Sequence, residues 1–442
     1  GKLTLEKAYE KFIKMAEIRP FRAWRYSSEY SADIENFTSP LFDVVSQAQR
    51  ARLYENPLNS IHLSVPKGEE AAKKSGKLLK EWKESEILQR DPLPSIYVYY
   101  QYFSLPGINK TFCRKGFICN IRLYEWDENV MLRHENTMPK AVNDRVDVLS
   151  ATQLNVSATH GLYTDEDHAL EQYMDESMLN PVYDIEDYQG VRDVMSVIQD
   201  HSIIQKFMNV LRDKQVILAD GHHRYEGALM YKRSITGDQD HPANFHMMYL
   251  SNTESEDLQI LPTHRLINDL PSFSRDDILQ KLGKYFKLTP IDEPHTAMEV
   301  IAGKPHTFAL LMPHEGWKLQ LLPGLEKEIP WKFEDVVNQL DITVLHYYIL
   351  DKAFGIPGKT HTTSPYISFD RSFSDTLALA EQEEVQAAVI TNNIPMETVK
   401  KVCYSGSIMP QKSTFFYPKV VCGFVFSTID HEEFSEDALT CF

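Results

Sequence analysis

A short apolar run, Gln215-Val216-Ile217-Leu218-Ala219, leads into Asp220-Gly221-His222-His223-Arg224, and Tyr225 to Lys232 then follows with helix-like spacing. A strand, a turn and a helix are predicted there. The first N–H groups of a helix lack intrahelical acceptors and, with the helix dipole, favour an anion. Gly221 lets the backbone approach a ligand closely, because it has no Cβ. Arg224 can make a two-pronged hydrogen bond to phosphate or carboxylate. His222 and His223 can donate to a phosphoryl oxygen or move a proton near neutral pH. Asp220 can hold a histidine or a cation. The same residues could also serve as an N-cap and a solvated first turn. Four polar groups directly after a buried strand favour a site.

Arg133-His134-Glu135-Asn136-Thr137 follows the apolar pair Val130-Met131. Glu135 beside His134 is a candidate general base, since partial desolvation raises a carboxylate pKa toward neutrality. A surface loop with an incidental charge pair is the alternative. Thr263, His264 and Arg265 end another expected strand, Leu258 to Leu261, and could complete an anion pocket. Lys412, in the turn Met409 to Thr414, is a candidate phosphate partner, although most lysines are simply solvated. The leader Arg19 to Tyr26 and the stretch Pro40 to Ser46 offer Arg22, Arg25 and Asp43 to the same pocket. Asp220, His222, His223 and His264 do not have the spacing of a tight zinc site. A nucleotide with Mg²⁺ suits them better, because that ion needs only one or two carboxylates besides the phosphates. The sequence contains no GxxxxGK[ST], GxGxxG or GxSxG pattern.

Several elements must position these groups. Lys67 to Gln89 has helical spacing. Ser95 to Phe103 reads as an aromatic strand, paired antiparallel with Gly116 to Trp126 across the turn at Leu105-Pro106-Gly107. Pro139 to Asp213 reads as helical and acidic, ending in a helix over Val191 to Leu211. Phe245 to Ser251 is a further strand. Beyond Ile267 the expected strands are Thr307 to Met312, Lys318 to Leu322 and Ala388 to Thr391, with a helix over Phe333 to Phe354. The expected organisation is an extension over 1–14, a first domain over 15–266 that carries the turn, and a C-terminal α+β domain over 267–442.

The bulk composition is that of a folded globular chain: 442 residues, 43% hydrophobic, 25% charged and 11% aromatic. A formal net charge of −17 with scattered cations argues against a nucleic-acid partner. The five cysteines include no CxxC pair, which fits a reducing, cytoplasmic location. No apolar run is long enough to span a bilayer, so no membrane association is expected. A small-molecule substrate is the expected partner, and a homo-oligomer is compatible with the sequence. Gly1 to Lys14 reads as an extension or tag remnant ahead of Met15.

Taken in order, IRPFRAWRY, SPLFDVVS, NPLNS, RHENT, LADGHHRYE, ILPTHR and GSIMPQKSTFFYPK resemble a bacterial and archaeal family of unknown function labelled ParB-like. The resemblance runs from Met15 to about Gly423. The HHR turn is also similar to the phosphate-binding helix start of the ParB and sulfiredoxin superfamily, which includes CTP-binding partition proteins, ATP-using sulfiredoxins and free-serine kinases. This kinship implies a mixed α/β (α+β) chain with a ParB/sulfiredoxin-like nucleotide-binding core and a second α+β unit. It also implies ATP, ADP or CTP as cofactor. Arg133 and Asn136 replace the family's usual Pro and Arg around the His-Glu pair, and sulfiredoxin's cysteine is absent from the turn. Family members sit in genomes beside serine-biosynthesis genes. The leading expectation is therefore a small-molecule kinase acting on a hydroxyl such as that of free serine. In it, Arg224 and His223 grip phosphate, with Gly221, His222, Thr263, His264, Arg265 and Lys412 around the nucleotide. His134, Asp220 and above all Glu135 serve the proton transfer. The alternatives are a regulatory protein that binds a nucleotide or phosphometabolite without turnover and, disfavoured by charge, a DNA-binding or nuclease protein.

Overall fold

The computed structural model describes residues 15–41, 47–235, 237–361, 363–410 and 412–433. The extension Gly1 to Lys14, Asp43 and its neighbours Phe42 to Ser46, Gln411 and Cys441 lie outside the described residues. The chain forms two compact units of mixed α/β structure. One comprises the described residues up to Arg133, Thr137–Leu258 and the segment from Pro418 onward; the other comprises His134–Asn136 and Gln259–Tyr417.

The first unit is built on a mixed sheet of nine described strands. From one edge the order is Met131–Leu132, Val216–Asp220, Thr159–Tyr163, Phe245–Asn252, Thr111–Arg122, Ile96–Ser104, Arg192–Ile198 and Tyr183–Glu186, with Ile18–Arg19 also pairing Thr111–Arg122. Val216–Asp220 runs parallel to Met131–Leu132 and antiparallel to Thr159–Tyr163, which in turn runs parallel to Phe245–Asn252. Side chains alternate across a strand, so a sheet buried on both faces reads as an almost unbroken apolar run. Ile96–Ser104 shows this directly. Ile96, Val98 and Tyr100 pack with Ile204, Phe207, Tyr225 and Leu229, while Tyr97 and Tyr99 pack with Phe21, Trp82, Phe424 and Phe426.

The expected antiparallel pair is present, with Tyr97 opposite Ile118 and Tyr102 opposite Cys113. The expected helix over Val191 to Leu211 is not. Arg192–Ile198 is a strand paired with Ile96–Ser104, and the helix begins only at His201. Its N-cap Asp200 accepts from the N–H groups of Ser202 and Ile203, and Ile204, Phe207 and Leu211 form the buried stripe. A short apolar run does not distinguish a buried strand from a buried helix, and here sheet pairing decided. Thr159–Tyr163 and Tyr183–Glu186 are likewise strands within the stretch expected to be helical.

The second unit holds an entirely antiparallel six-stranded sheet in the order Phe286–Ile291, Glu315–Leu321, Thr307–Met312, Ala387–Ile390, His264–Ile267 and Ile367–Asp370. Phe308 and Leu310 face one core with Ile278, Leu345 and Ile349; Ala309 and Leu311 face another with Ala297, Ile301 and Ala380. The helix expected over Phe333 to Phe354 is broken into Asp335–Asn338, Asp341–Val344 and a wider π-helical stretch, Leu345–Ala353. The extended backbone of Leu340, with ψ 144°, separates the first two pieces.

Candidate functional site

Asp220 ends its strand opposite His160, one step past a register irregularity that follows Leu218. Gly221 then turns the chain with φ 90° and ψ 30°, and the helix His222–Ser234 starts immediately. A Cβ on Gly221 would lie 2.6 Å from Thr159 Cγ2 and 2.8 Å from Arg224 Nη2. Both the dihedral and the space therefore call for glycine. The expected strand, turn and helix are all present, with the helix beginning three residues earlier than its apolar periodicity indicates.

Asp220 accepts from the Gly221 N–H at 2.8 Å and from Lys419 Nζ at 2.9 Å. Burial alone would raise its carboxyl pKa, but the charges of Lys419 and Arg224 outweigh that and hold it well below the usual carboxylate range. The Lys419 peptide is fixed on both sides. Its N–H donates to Gln189 Oε1 at 3.0 Å, and its carbonyl accepts from Gln101 Nε2 at 3.0 Å and Gln189 Nε2 at 3.1 Å. Gln101 also accepts from the fully buried Arg114. His160, bonded to Ser251 Oγ at 2.7 Å, is driven far below its ordinary pKa by burial and by Arg114, so its ring is neutral.

Arg224 is 7% exposed. Its Nη1 donates to Ser157 Oγ at 3.3 Å and to the Ala158 carbonyl, while Nε and Nη2 have no acceptor among the described residues. His246 beside it bonds Thr159 Oγ1 at 2.8 Å, and burial with the nearby Arg224 charge pushes its pKa down to about 3. His222 is buried; His223 is half-buried and accepts from the Met138 N–H at 3.1 Å.

Of the other residues singled out in the sequence, His134, Glu135, Thr263, His264, Arg265 and Lys412 fall in the second unit. His134 is buried and bonds Thr414 Oγ1 at 2.9 Å, and its carbonyl accepts from Met409 N. Glu135 is half-buried. His264 and Arg265 follow the short strand Gln259–Leu261, as expected, and open a second one, His264–Ile267, between Ala387–Ile390 and Ile367–Asp370. Arg265 is spent on the Thr263 carbonyl, the Lys412 carbonyl at 3.0 Å and His346 at 3.2 Å, and burial pushes its pKa down to about 9. His264 accepts from Thr391 N at 3.2 Å through Nδ1 and is held near 4 by burial and Arg265. Lys412 is exposed. In the first unit Arg22 and Arg25 converge on Asp91, through its carbonyl at 2.8 Å and its carboxylate at 2.9 Å. Among the described residues no group of three or more His, Cys, Asp or Glu side chains is gathered for a metal ion.

The sequence reading passed over Lys419, Arg114, His160, Ser157 and Asn155. Lys419 had one visible signal, its place at the end of the motif Phe415-Phe416-Tyr417-Pro418-Lys419, where a lone cation follows an aromatic run.

A family profile described as protein of unknown function (DUF1015) matches residues 18–343. The chain belongs to the DUF1015 family. No curated protein matches this DUF1015 chain. Among solved structures it is similar to a free serine kinase in complex with AMP, at 12% identity and a TM-score of 0.39 over 72% of this chain and 93% of that one. A conserved hypothetical protein from Pyrococcus furiosus matches at 12% identity and a TM-score of 0.37, over 71% of this DUF1015 chain and 95% of the other. SbnI with C-terminal truncation, from Staphylococcus aureus, matches at 10% and 0.35, over 72% and 93%. No helix among the described residues is long and apolar enough to cross a membrane.

Proposed function

We propose that this protein binds the phosphate of a nucleotide at the Asp220–Arg224 turn and transfers a phosphoryl group to a small hydroxyl-bearing metabolite, free serine being the first acceptor to test. What supports this reading is the charge balance at the turn, where one half-buried carboxylate, Asp220, stands against two buried cations, Lys419 and Arg224. A surplus of buried positive charge at a helix start is stabilised by an anion, and phosphate presents enough acceptor oxygens to use it. The likeness of the HHR turn to that of the ParB and sulfiredoxin superfamily points to the same ligand class.

In the proposed reaction the acceptor's hydroxyl oxygen forms a bond to the terminal phosphorus. The bond from that phosphorus to the leaving nucleotide breaks, and the hydroxyl proton passes to a general base. Positioning and charge neutralisation supply most of the catalysis in such chemistry. Mg²⁺ would enter with the nucleotide's own phosphates.

Purified protein with Mg²⁺, serine and ATP, ADP or CTP is expected to yield phosphoserine by mass spectrometry, with turnover lost in Arg224→Ala, and nucleotide is expected to raise the melting temperature of the wild type. Binding without product for any hydroxy acid would select a sensor instead. Absence of any nucleotide-dependent shift would remove both.

A further inference from the structure

A pocket of about 40 Å³ lies in the first unit between the helices Pro139–Thr152 and His222–Ser234, with Arg145, Asn155, Ser157, Arg224 and His246 on its polar walls and Val148 and Leu149 among its apolar ones. Among the described residues no Asp or Glu lines it. Space of this size holds on the order of three water molecules, the bulk of one small tetrahedral ion.

The lining is rich in hydrogen-bond donors whose partners are missing. Arg224 Nε and Nη2 and Asn155 Nδ2 are buried without an acceptor among the described residues, and each of these residues is 7% exposed. Arg145 spends one nitrogen on the Ser64 carbonyl at 2.6 Å. His246 Nδ1 is also buried without a partner among the described residues. In the tautomer whose Nε2 accepts from Thr159 Oγ1, Nδ1 carries the hydrogen and is a further donor. Leaving several N–H groups of a guanidinium and an amide buried and unmet is costly. Water offsets that only in part, since each molecule also brings hydrogens to a wall of donors. An oxyanion brings acceptors alone.

From this lining we infer that the pocket is a seat for a single tetrahedral oxyanion, either a free phosphate-class ion or the phosphoryl end of a small metabolite, held by Arg224, Asn155 and Ser157 with Arg145 supplying charge. It is not the nucleotide contact proposed above. It shares only Arg224 with the turn, and neither Asp220 nor Lys419 lines it.

The test is crystals of the full chain grown with sodium selenate, paired with melting curves in selenate, inorganic phosphate and glycerol phosphate for wild type and Asn155→Asp. The expected result is an anomalous selenium peak within hydrogen-bond distance of Arg224 and Asn155, with the selenate midpoint raised at least tenfold by Asn155→Asp. Asn155→Ala, which adds no charge, should raise it less. Saturation by glycerol phosphate at lower concentration than inorganic phosphate assigns the site to a metabolite, and the reverse assigns it to the free ion. Water alone in the pocket, or unchanged midpoints in both variants, overturns the inference. A peak only at the first N–H groups of His222–Ser234 overturns it too, while leaving the nucleotide proposal standing.

Discussion

Lys419 Nζ lies 2.9 Å from Asp220 Oδ2, a pairing of groups 199 residues apart, with the lysine side chain 9% and the aspartate 17% exposed. The pair closes one end of the central sheet's turn, and the amides of Gln101 and Gln189 fix the lysine's peptide. Breaking it by Lys419→Met leaves a carboxylate without its nearest cation. The expected loss is about 3–5 kcal/mol of unfolding free energy, as for other buried pairs with one partner removed. Urea denaturation measures it, and Asp220→Asn in the same chain should restore more than half. A double variant as unstable as Lys419→Met alone would sink this account.

Gly221→Ala tests the turn itself. At φ 90° an alanine is strained, and its Cβ meets Thr159 Cγ2 at 2.6 Å. Strain of this kind costs about 1–3 kcal/mol, so the melting temperature should drop by several degrees. Nucleotide-dependent stabilisation should fall with it, because the helix start can no longer keep its place.

Arg224→Lys separates charge from geometry. The ammonium keeps the positive charge but cannot reproduce the planar fork that reaches Ser157 and Ala158. Nucleotide binding measured by calorimetry should weaken about tenfold, close to 1.4 kcal/mol. Arg224→Ala should weaken it further. Equal affinity in the lysine variant and wild type would show that the fork is not used.

His246 predicts a pH dependence. Its folded pKa is about 3, set by burial and the Arg224 charge, against about 6.5 in an unfolded chain. Below pH 6.5 the unfolded state therefore binds a proton that the folded state refuses. The stability present above about pH 6.5 is lost as the pH falls toward 3, at about 1.4 kcal/mol per unit for this one group. Melting curves from pH 8 to pH 5 should show the decline, and His246→Gln should make it shallower, with His160 and His264 keeping the rest of the slope.

Local patterning was sufficient to place the strand, turn and helix around Asp220–Arg224, and the antiparallel pair Ile96–Ser104 with Thr111–Arg122. Each is announced by neighbouring residues: an apolar run, a glycine, a helical stripe, a Pro-Gly turn. Arg192–Ile198 was not legible, since its apolar residues suit a helix as well as a strand until Ile96–Ser104 lies alongside.

By itself the sequence determined the chemistry available at the turn: an acid, a flexible glycine, two imidazoles and a guanidinium at a helix start. Only the tertiary structure decided what each group faces. It brought Lys419 to Asp220, aimed Arg224 at Ser157 and Ala158, and tied Arg265 to the carbonyls of Thr263 and Lys412. The physical reason is range. A turn is written in adjacent residues, whereas a buried ion pair depends on strand pairings such as Ser427 with Asn155, which join distant parts of the chain and are set by the packing of the whole sheet.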